Sequence, residues 1–532
     1  MATQTTTEIE LDTIRLSEHA QHVASRPSLS SSNRSETAPL PALPATTLSA
    51  NRSIIVITTL SGVNFLNSIS NGMITVALPA IAADLLLKDS LLVWPTSVLS
   101  LTSGSCVLIA GAVADVLGPR GMNLAGCLLM GAFILGCGLA QTGIQLVLFR
   151  AMQGIANAMT VPTSISIVST SVADGKPRNL GFACLGLSQP LGFSVGLVLG
   201  GVFVDTLGWR SGFYIGGGLS FLLFVMAIWA LPSPPPAAPT LSQKSTLQRL
   251  VQDVDWVGAG IACTSIALFS LVLAMLSSEI DSIRRASNIV LLVFSVALAP
   301  TFAFWMNRQE ERNKPALIPN SIWKNSAFTS ICLMVLLVYG VQNSIELFSS
   351  LFFQKVQFTS ALGASLRLLP NLLCGVAIEL ITGLIINKVP AMVAVLASAA
   401  LAAIAPLLMA IINPKWPYWY DAFPAQILAP VSGDVLFTVG LIIVSASFPP
   451  QTQGLAGAVF NTVAQIGTSI GLTVLSVIST AVTKENGSEE SVPAIMEGYR
   501  ASFWTLFAMM ILATCIGGVG LRKLGKVGEK RD

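Results

Sequence analysis

The chain has 532 residues, 53% hydrophobic and only 10% charged, and its 29 basic and 26 acidic side chains leave a formal charge of +3. So few polar groups could not cover a soluble protein of this size, which excludes a water-soluble multidomain architecture. The small net charge, without a dense Lys/Arg cluster, argues against nucleic acid as a partner.

Residues 1–52 are rich in Ser, Thr, Pro and Ala, which predicts a disordered cytoplasmic tail. Six apolar runs of helix length follow within 53–231: Ile54 to Ala77, Leu91 to Val113, Met122 to Gln141, Gln145 to Thr170, Leu180 to Val204 and Gly212 to Leu231. Residues 232–254 open with PSPPPAAP and turn polar, a composition that cannot span and reads as a cytoplasmic linker. Two additional spans are expected in 255–306, then a charged cytoplasmic loop at 307–326 containing RQEERNK. Six further runs occupy 327–521: Ala327 to Phe353, Ala361 to Ile386, Met392 to Ile412, Pro424 to Phe448, Gly454 to Val482 and Ser502 to Leu521. The expectation is therefore an all-α membrane protein of 14 transmembrane helices, grouped six, two and six, with a short cytoplasmic tail at 522–532. Lys and Arg are about twice as frequent in the loops on the side of the termini, which places both termini in the cytoplasm. The loop KENGSEE then faces outward, and Asn486 begins an Asn-Gly-Ser glycosylation sequon.

All eight cysteines fall inside predicted spans, without zinc or disulfide spacing, and read as packing residues. Both histidines, His19 and His22, lie in the N-terminal tail, so carboxylates must carry any proton coupling; no metal, cofactor or catalytic site is expected. Arg150, Glu346, Glu379 and Asp434 interrupt apolar runs, where an unpaired ion costs at least about 2.5 to 3.5 kcal/mol and marks a polar path. Arg150, Gln153 and Asn157 stand at i, i+3 and i+7 and share one helix face, as do Asn64, Asn67 and Asn71. Gln342 and Glu346 share another face, as do Asn461 and Gln465; with Gln189, the neutral members of these stripes are the candidate lining of a substrate cavity. A structural hydrogen-bonding role is the alternative for each.

Three segments carry a family resemblance. GAVADVLGPR, with Gly111, Asp115, Gly118 and Arg120, resembles the signature between spans two and three of the major facilitator superfamily, with Val116 where members commonly carry a basic residue. FRAMQGIANAM resembles that family's fourth-span arginine motif, which implies that Arg150 influences protonation of a nearby acid. GLSQPLGFSVGLVLGG, with Gly192, Gly196, Gly200 and Gly201 on close faces and Trp209-Arg210 beyond, resembles the antiporter signature of its exporters. With WPTSVLSLTSG, SLFFQ, ASLRLLP and SGDVLFTVG, the chain from about 54 to 521 is similar to fungal 14-span drug:proton antiporters related to aminotriazole- and boron-resistance pumps.

The resemblance implies a major facilitator fold of two six-helix bundles plus two extra spans. It implies a secondary exporter of amphipathic small molecules, a secondary metabolite, toxin or drug, exchanged for protons by alternating access. Asp434, Glu346 and Glu379 are the candidate proton carriers, Asp434 first. Two readings stand beside it: a facilitator or proton symporter for a small nutrient such as ammonium or borate, and a non-transporting membrane sensor. The expected setting is a monomer in the plasma membrane, or a vacuolar or vesicle membrane, with substrate, protons and lipid as its only partners.

Overall fold

The computed structural model describes residues 49–87, 91–173, 176–232, 246–278, 284–312, 314, 316–385, 389–447, 450–487 and 491–522. The tail at 1–48, most of the linker and the last ten residues, for which the sequence predicts disorder, a spacer and a cytoplasmic end, lie outside the described residues. Long helices fill nearly all of the rest: α1 (Ala50–Asp84), α2 (Trp94–Leu117), α3 (Pro119–Leu139), α4 (Gly143–Ser171), α5 (Lys176–Thr206) and α6 (Trp209–Ala230). A short α7 (Thr246–Asp253) closes the linker, then come α8 (Trp256–Ser278) and α9 (Ala286–Glu311). The second set is α10 (Ser326–Leu351), α11 (Ala361–Ile385), α12 (Ala391–Ile411), α13 (Ala422–Leu428), α14 (Val431–Ser447), α15 (Pro450–Asn486) and α16 (Val492–Gly520).

Among the described residues, 12 helices are long and apolar enough to cross a membrane. Two of the expected spans are not among them. The described apolar stretch of α8 is the shorter Trp256–Phe269, and α4 carries Arg150, Gln153 and Asn157 along 29 residues, which dilutes its hydropathy. The helices also overrun the apolar stretches: α16 begins at Val492, ten residues before the apolar run, so Arg500 lies within it and binds Ala410 O (3.0 Å) through Nε.

Chain reversals use local chemistry. Gly118 (φ 92°) and Gly208 (φ 84°) take the left-handed backbone that joins α2 to α3 and α5 to α6. Thr142 caps α4 by accepting from Gln145 N, and Asn325 caps α10 by accepting from the amides of Ala327 and Phe328. Pro430 lies between α13 and α14, which together make the one span expected there, apolar enough to cross a membrane over Ala422–Gly440.

The two sets of helices pack by one pattern. In the first, α1 lies on α5, α2 on α4, and α3 on both α4 and α6. In the second, α10 lies on α15, α11 on α14, and α12 on α16. With α13 and α14 sharing the fourth position, these are the same pairings of first with fifth, second with fourth and third with sixth elements. The halves meet where α2 packs on α15 and α5 on α11, again equivalent positions. The additional pair breaks the symmetry: α8 and α9 pack together, and α8 also lies against α2 and α15, covering one of the two inter-half seams.

Candidate functional site

In the first half the polar stripes of α1 and α4 face each other. Arg150 is fully buried, and its guanidinium donates through Nε to Pro95 O (2.9 Å), through Nη1 to Gln153 Oε1 (3.0 Å) and Ser70 Oγ (3.3 Å), and through Nη2 to Asn71 Oδ1 (2.7 Å). Gln153 donates onward to Asn67 Oδ1 (3.2 Å), Asn67 to Asn157 Oδ1 (2.8 Å), and Asn157 to Ser103 Oγ (2.9 Å). Every hydrogen-bond acceptor around the arginine is neutral. Asn67, Gln153 and Asn157 are buried, so their faces bind α1, α2 and α4 together. Asn64 is buried one turn before Asn67, whereas Gln189 on α5 is exposed and joins none of these bonds.

The second half holds the acids. Asp434, near the start of α14, packs against α11 at Gly375, where an added Cβ would stand 2.7 Å from Oδ2. Gln342 of α10 rests against Gly433, the residue before Asp434. Asp434 is within electrostatic range of both Glu346 and Glu379, and Tyr339 is within range of Asp434 and Glu379. Glu346 is buried, while Asp434, Glu379, Gln342, Asn461 and Gln465 are partly exposed. Glu379 points towards α5, with Oε1 3.8 Å from where a Cβ on Gly186 would be. Gln465 meets α2 at Gly104, its Cβ 2.9 Å from the position a side chain there would take. The rings of Tyr339, Phe437 and Phe460 form a row beside the acids, with centroids 6.3 and 5.9 Å apart.

The halves are joined at the end of the bundle where α1 finishes. Ser350 donates to Thr75 O (3.4 Å), Gln354 to Val76 O (3.1 Å), Leu362 N to Asp205 Oδ2 (3.1 Å) and Ser365 to Leu197 O (2.7 Å). At the same end Asp84 pairs with Arg210 and accepts from Trp209 Nε1 (3.1 Å), so the Trp-Arg pair fastens α6 to α1.

The span-five glycines form the contact of α5 with α1. Cβ atoms on Gly192, Gly196 and Gly200 would each come within 2.8 Å of α1 atoms, and Gly201 abuts α11 at Leu362 and Ser365. Gly111 has open space around it, Gly118 makes the turn, and Arg120 donates to Ile228 O (3.0 Å) at the end of α6. The Asp115 side chain lies outside the described residues.

Two features escape the sequence reading. Gly340, Gly467 and Gly471 make an α10–α15 seam equivalent to the α1–α5 one, with a Cβ on Gly471 only 2.6 Å from Gly340 Cα. Asn371, Gln426 and Ser349, all buried, are linked at 3.5 and 3.2 Å across α11, α13 and α10. Their signal was three isolated polar residues inside apolar runs, with no shared stripe to connect them.

A family profile described as Major Facilitator Superfamily matches residues 60–472. The chain belongs to that family. This superfamily member is thus a multi-pass membrane transporter. It is 41% identical over 525 residues to MFS-type transporter 1 of Pyricularia oryzae, covering 90% of this chain and 85% of that one. It is 26% identical to the efflux pump terG of Aspergillus terreus (81% and 79% covered) and 25% identical to the low affinity ammonium transporter of Saccharomyces cerevisiae (81% and 79%). A bacterial homologue of the human lysosomal transporter Spinster, solved in an inward-facing, occupied conformation, shares the fold at TM-score 0.63 and 17% identity, covering 89% of this chain and 98% of that one.

Proposed function

We propose that this transporter is a proton-coupled exporter of amphipathic small molecules, of the secondary-metabolite or drug class. The observation that carries the reading is the grouping of Asp434, Glu346 and Glu379 in one half of the bundle, with Asp434 in electrostatic range of both others and partly exposed. Acids in apolar surroundings are suited to reversible protonation, and each proton entering contributes about 2.3 kcal/mol per 100 mV of potential. Gln342, Asn461, Gln465 and the exposed Gln189 offer neutral hydrogen-bonding groups to the substrate. Asn64, Asn67, Asn71, Gln153 and Asn157 hold the shape of the opposite wall, anchored by Arg150. The glycine seams of α5 and α15 let each bundle rock as a unit.

In this reading α4 and α8 complete 14 spans, the termini are cytoplasmic, Asn486 is glycosylated on the outside, and the protein works as a monomer in the plasma membrane. The inter-half bonds at the end where α1 finishes then close the outer side. Imposing opposite pH gradients on proteoliposomes tests the coupling: amphipathic substrate must accumulate against the proton flow, and Asp434→Asn must abolish that accumulation. Flux that follows the proton, or ignores it, overturns the export reading. The similarity to an ammonium transporter, at nearly the same identity as to an efflux pump, favours one second reading, uptake of a small nutrient. Ammonium uptake by the same proteoliposomes would establish it.

A further inference from the structure

We infer that a small cavity at the end of the bundle where α1 finishes binds the carboxylate end of an amphipathic molecule. Its wall is made by the residues just before α2, the turn after α10, and the facing sides of α15 and α16. On α15 it is lined by Ser476, Ser479, Thr480 and Thr483, spaced i, i+3, i+4 and i+7 along one helix face. Ser476, Ser479 and Thr483 are 5%, 8% and 7% exposed, yet none of the four hydroxyls has a hydrogen-bond partner among the described residues. A helical hydroxyl can donate to the carbonyl four residues earlier, and neighbouring ones do. Thr473 donates to Ser469 O (2.8 Å), Ser502 of α16 to Gly498 O (3.1 Å) and Thr505 to Ala501 O (2.9 Å). Buried polar groups without partners are rare, so a row of them on one cavity wall points to a ligand that supplies the bonds. Gly498 of α16 keeps the space open, since a Cβ there would overlap Thr483 Oγ1 and stand 3.2 Å from Ser479 Oγ.

The rest of the wall identifies the ligand. Among the described lining residues the charged one is Lys355, partly buried, so the cavity carries positive charge and no acid. An ammonium only donates and each hydroxyl can donate, a set that suits a group which only accepts, an anion. The open volume of about 50 Å³ has room for about three to five waters, which fits a carboxylate better than a bulkier phosphate. Phe348, Leu351 and Ile495 form the apolar side, suited to a hydrocarbon chain. Leu92 and Val93 come from the first half and the other lining residues from the second, so the cavity lies between the halves, near the Gln354 bond to Val76 O that joins them. None of the three acids lines it, and the inference depends neither on proton coupling nor on the direction of transport.

Equilibrium binding of radiolabelled hexanoate to full-length protein in nanodiscs, with empty nanodiscs subtracted, tests the site without measuring flux, so its failure leaves the exporter reading standing. Saturable binding is expected, displaced by unlabelled hexanoate and not by its neutral counterpart hexanamide. Lys355→Gln, and Ser479→Ala combined with Thr483→Val, should each weaken it by about tenfold or more, the scale of one lost bond to a charged group. Thr505→Val, which removes a hydroxyl of α16 bonded within its own helix, should leave it unchanged. Absence of saturable binding, equal competition by hexanamide, or binding that ignores both lining changes overturns the inference. Stronger competition by hexyl phosphate than by hexanoate overturns the carboxylate assignment in favour of a phosphate. Should the double variant fail to fold, Thr480→Val at a partly exposed position decides with Lys355→Gln: both must weaken hexanoate binding.

Discussion

Replacing Arg150 by lysine keeps the positive charge and removes the fork, which separates two roles for this residue. The guanidinium reaches Pro95 on α2, Ser70 and Asn71 on α1, and Gln153 on its own helix with four bonds of 2.7 to 3.3 Å. A single ammonium cannot point at all of them, and at least two acceptors would lose their donor. Hydrogen bonds to a charged group contribute about 1.5–3 kcal/mol each, so losing two costs about 3–6 kcal/mol before relaxation. For a chain of 532 residues, with an unfolding entropy of about 1.1 kcal/mol/K, that corresponds to a fall in unfolding temperature of about 3–5 °C, measurable by intrinsic fluorescence in detergent. Proton-driven accumulation in proteoliposomes should fall with it, because Gln153, Asn67 and Asn157 depend on the same network. A lysine variant that unfolds within about 1 °C of the parent would refute the clamp reading, since even one lost charged bond exceeds that. If such a variant still lost coupling, the guanidinium would matter for its effect on protonation and not for its bonds.

Three other outcomes follow from the same structure. Asp434→Asn should abolish proton-driven accumulation while leaving gradient-free exchange of labelled for unlabelled substrate, because only the proton cycle is removed. Gly196→Ala and its counterpart Gly471→Ala should each destabilise by about 1–3 kcal/mol in thermal unfolding, since each forces two helix backbones apart; a harmless change at either would mean that the seam is loose. Asn486→Gln should abolish a glycosidase-sensitive mobility shift of the protein from a eukaryotic host, whereas no shift in the parent would place this loop away from the glycosylating side.

Hydropathy made the helical architecture readable, because a backbone in lipid has few alternatives to helix and each span must be apolar for its length. It failed where helix and apolar run differ. α16 extends ten residues beyond its apolar segment and carries Arg500 within it. At Pro430 it found the span but not the break in the helix between α13 and α14. Stripe spacing showed that Arg150, Gln153 and Asn157 share a face, but not what the face meets. Its partners stand about 50 to 90 residues away, on α1 and α2, and only packing brings them there. The Asn371, Gln426 and Ser349 chain has no spacing signal, as its members come from three separate helices. Gln342 and Asp434 were each visible as polar residues in apolar surroundings. That Gln342 rests on Gly433 and the Asp434 carboxyl on Gly375 was not, because each seat is a glycine on another helix whose sequence context resembles ordinary packing.

The two halves repeat one packing pattern and divide the chemistry unequally. In the first, the charge of Arg150 is spread over neutral acceptors and sealed from solvent, so that wall is a fixed polar block. In the second, Asp434 on α14 stands within electrostatic range of Glu346 on α10 and Glu379 on α11, with no basic hydrogen-bond partner for any of the three among the described residues, so gathering their charges costs energy unless a proton or another cation offsets it. In the proposed exporter the first wall would stay the same while the charge of the second changed as the opening switched sides. The additional pair α8–α9 strengthens this division. By covering the α2–α15 seam it leaves the α5–α11 seam, where Glu379 meets Gly186, as the inter-half contact that borders an apolar cleft of about 560 Å³. Movement of the halves at that seam would change the surroundings of Glu379 directly, and through it those of Asp434, and this is the contact by which the proposed exporter would couple its opening to the charge of its acids.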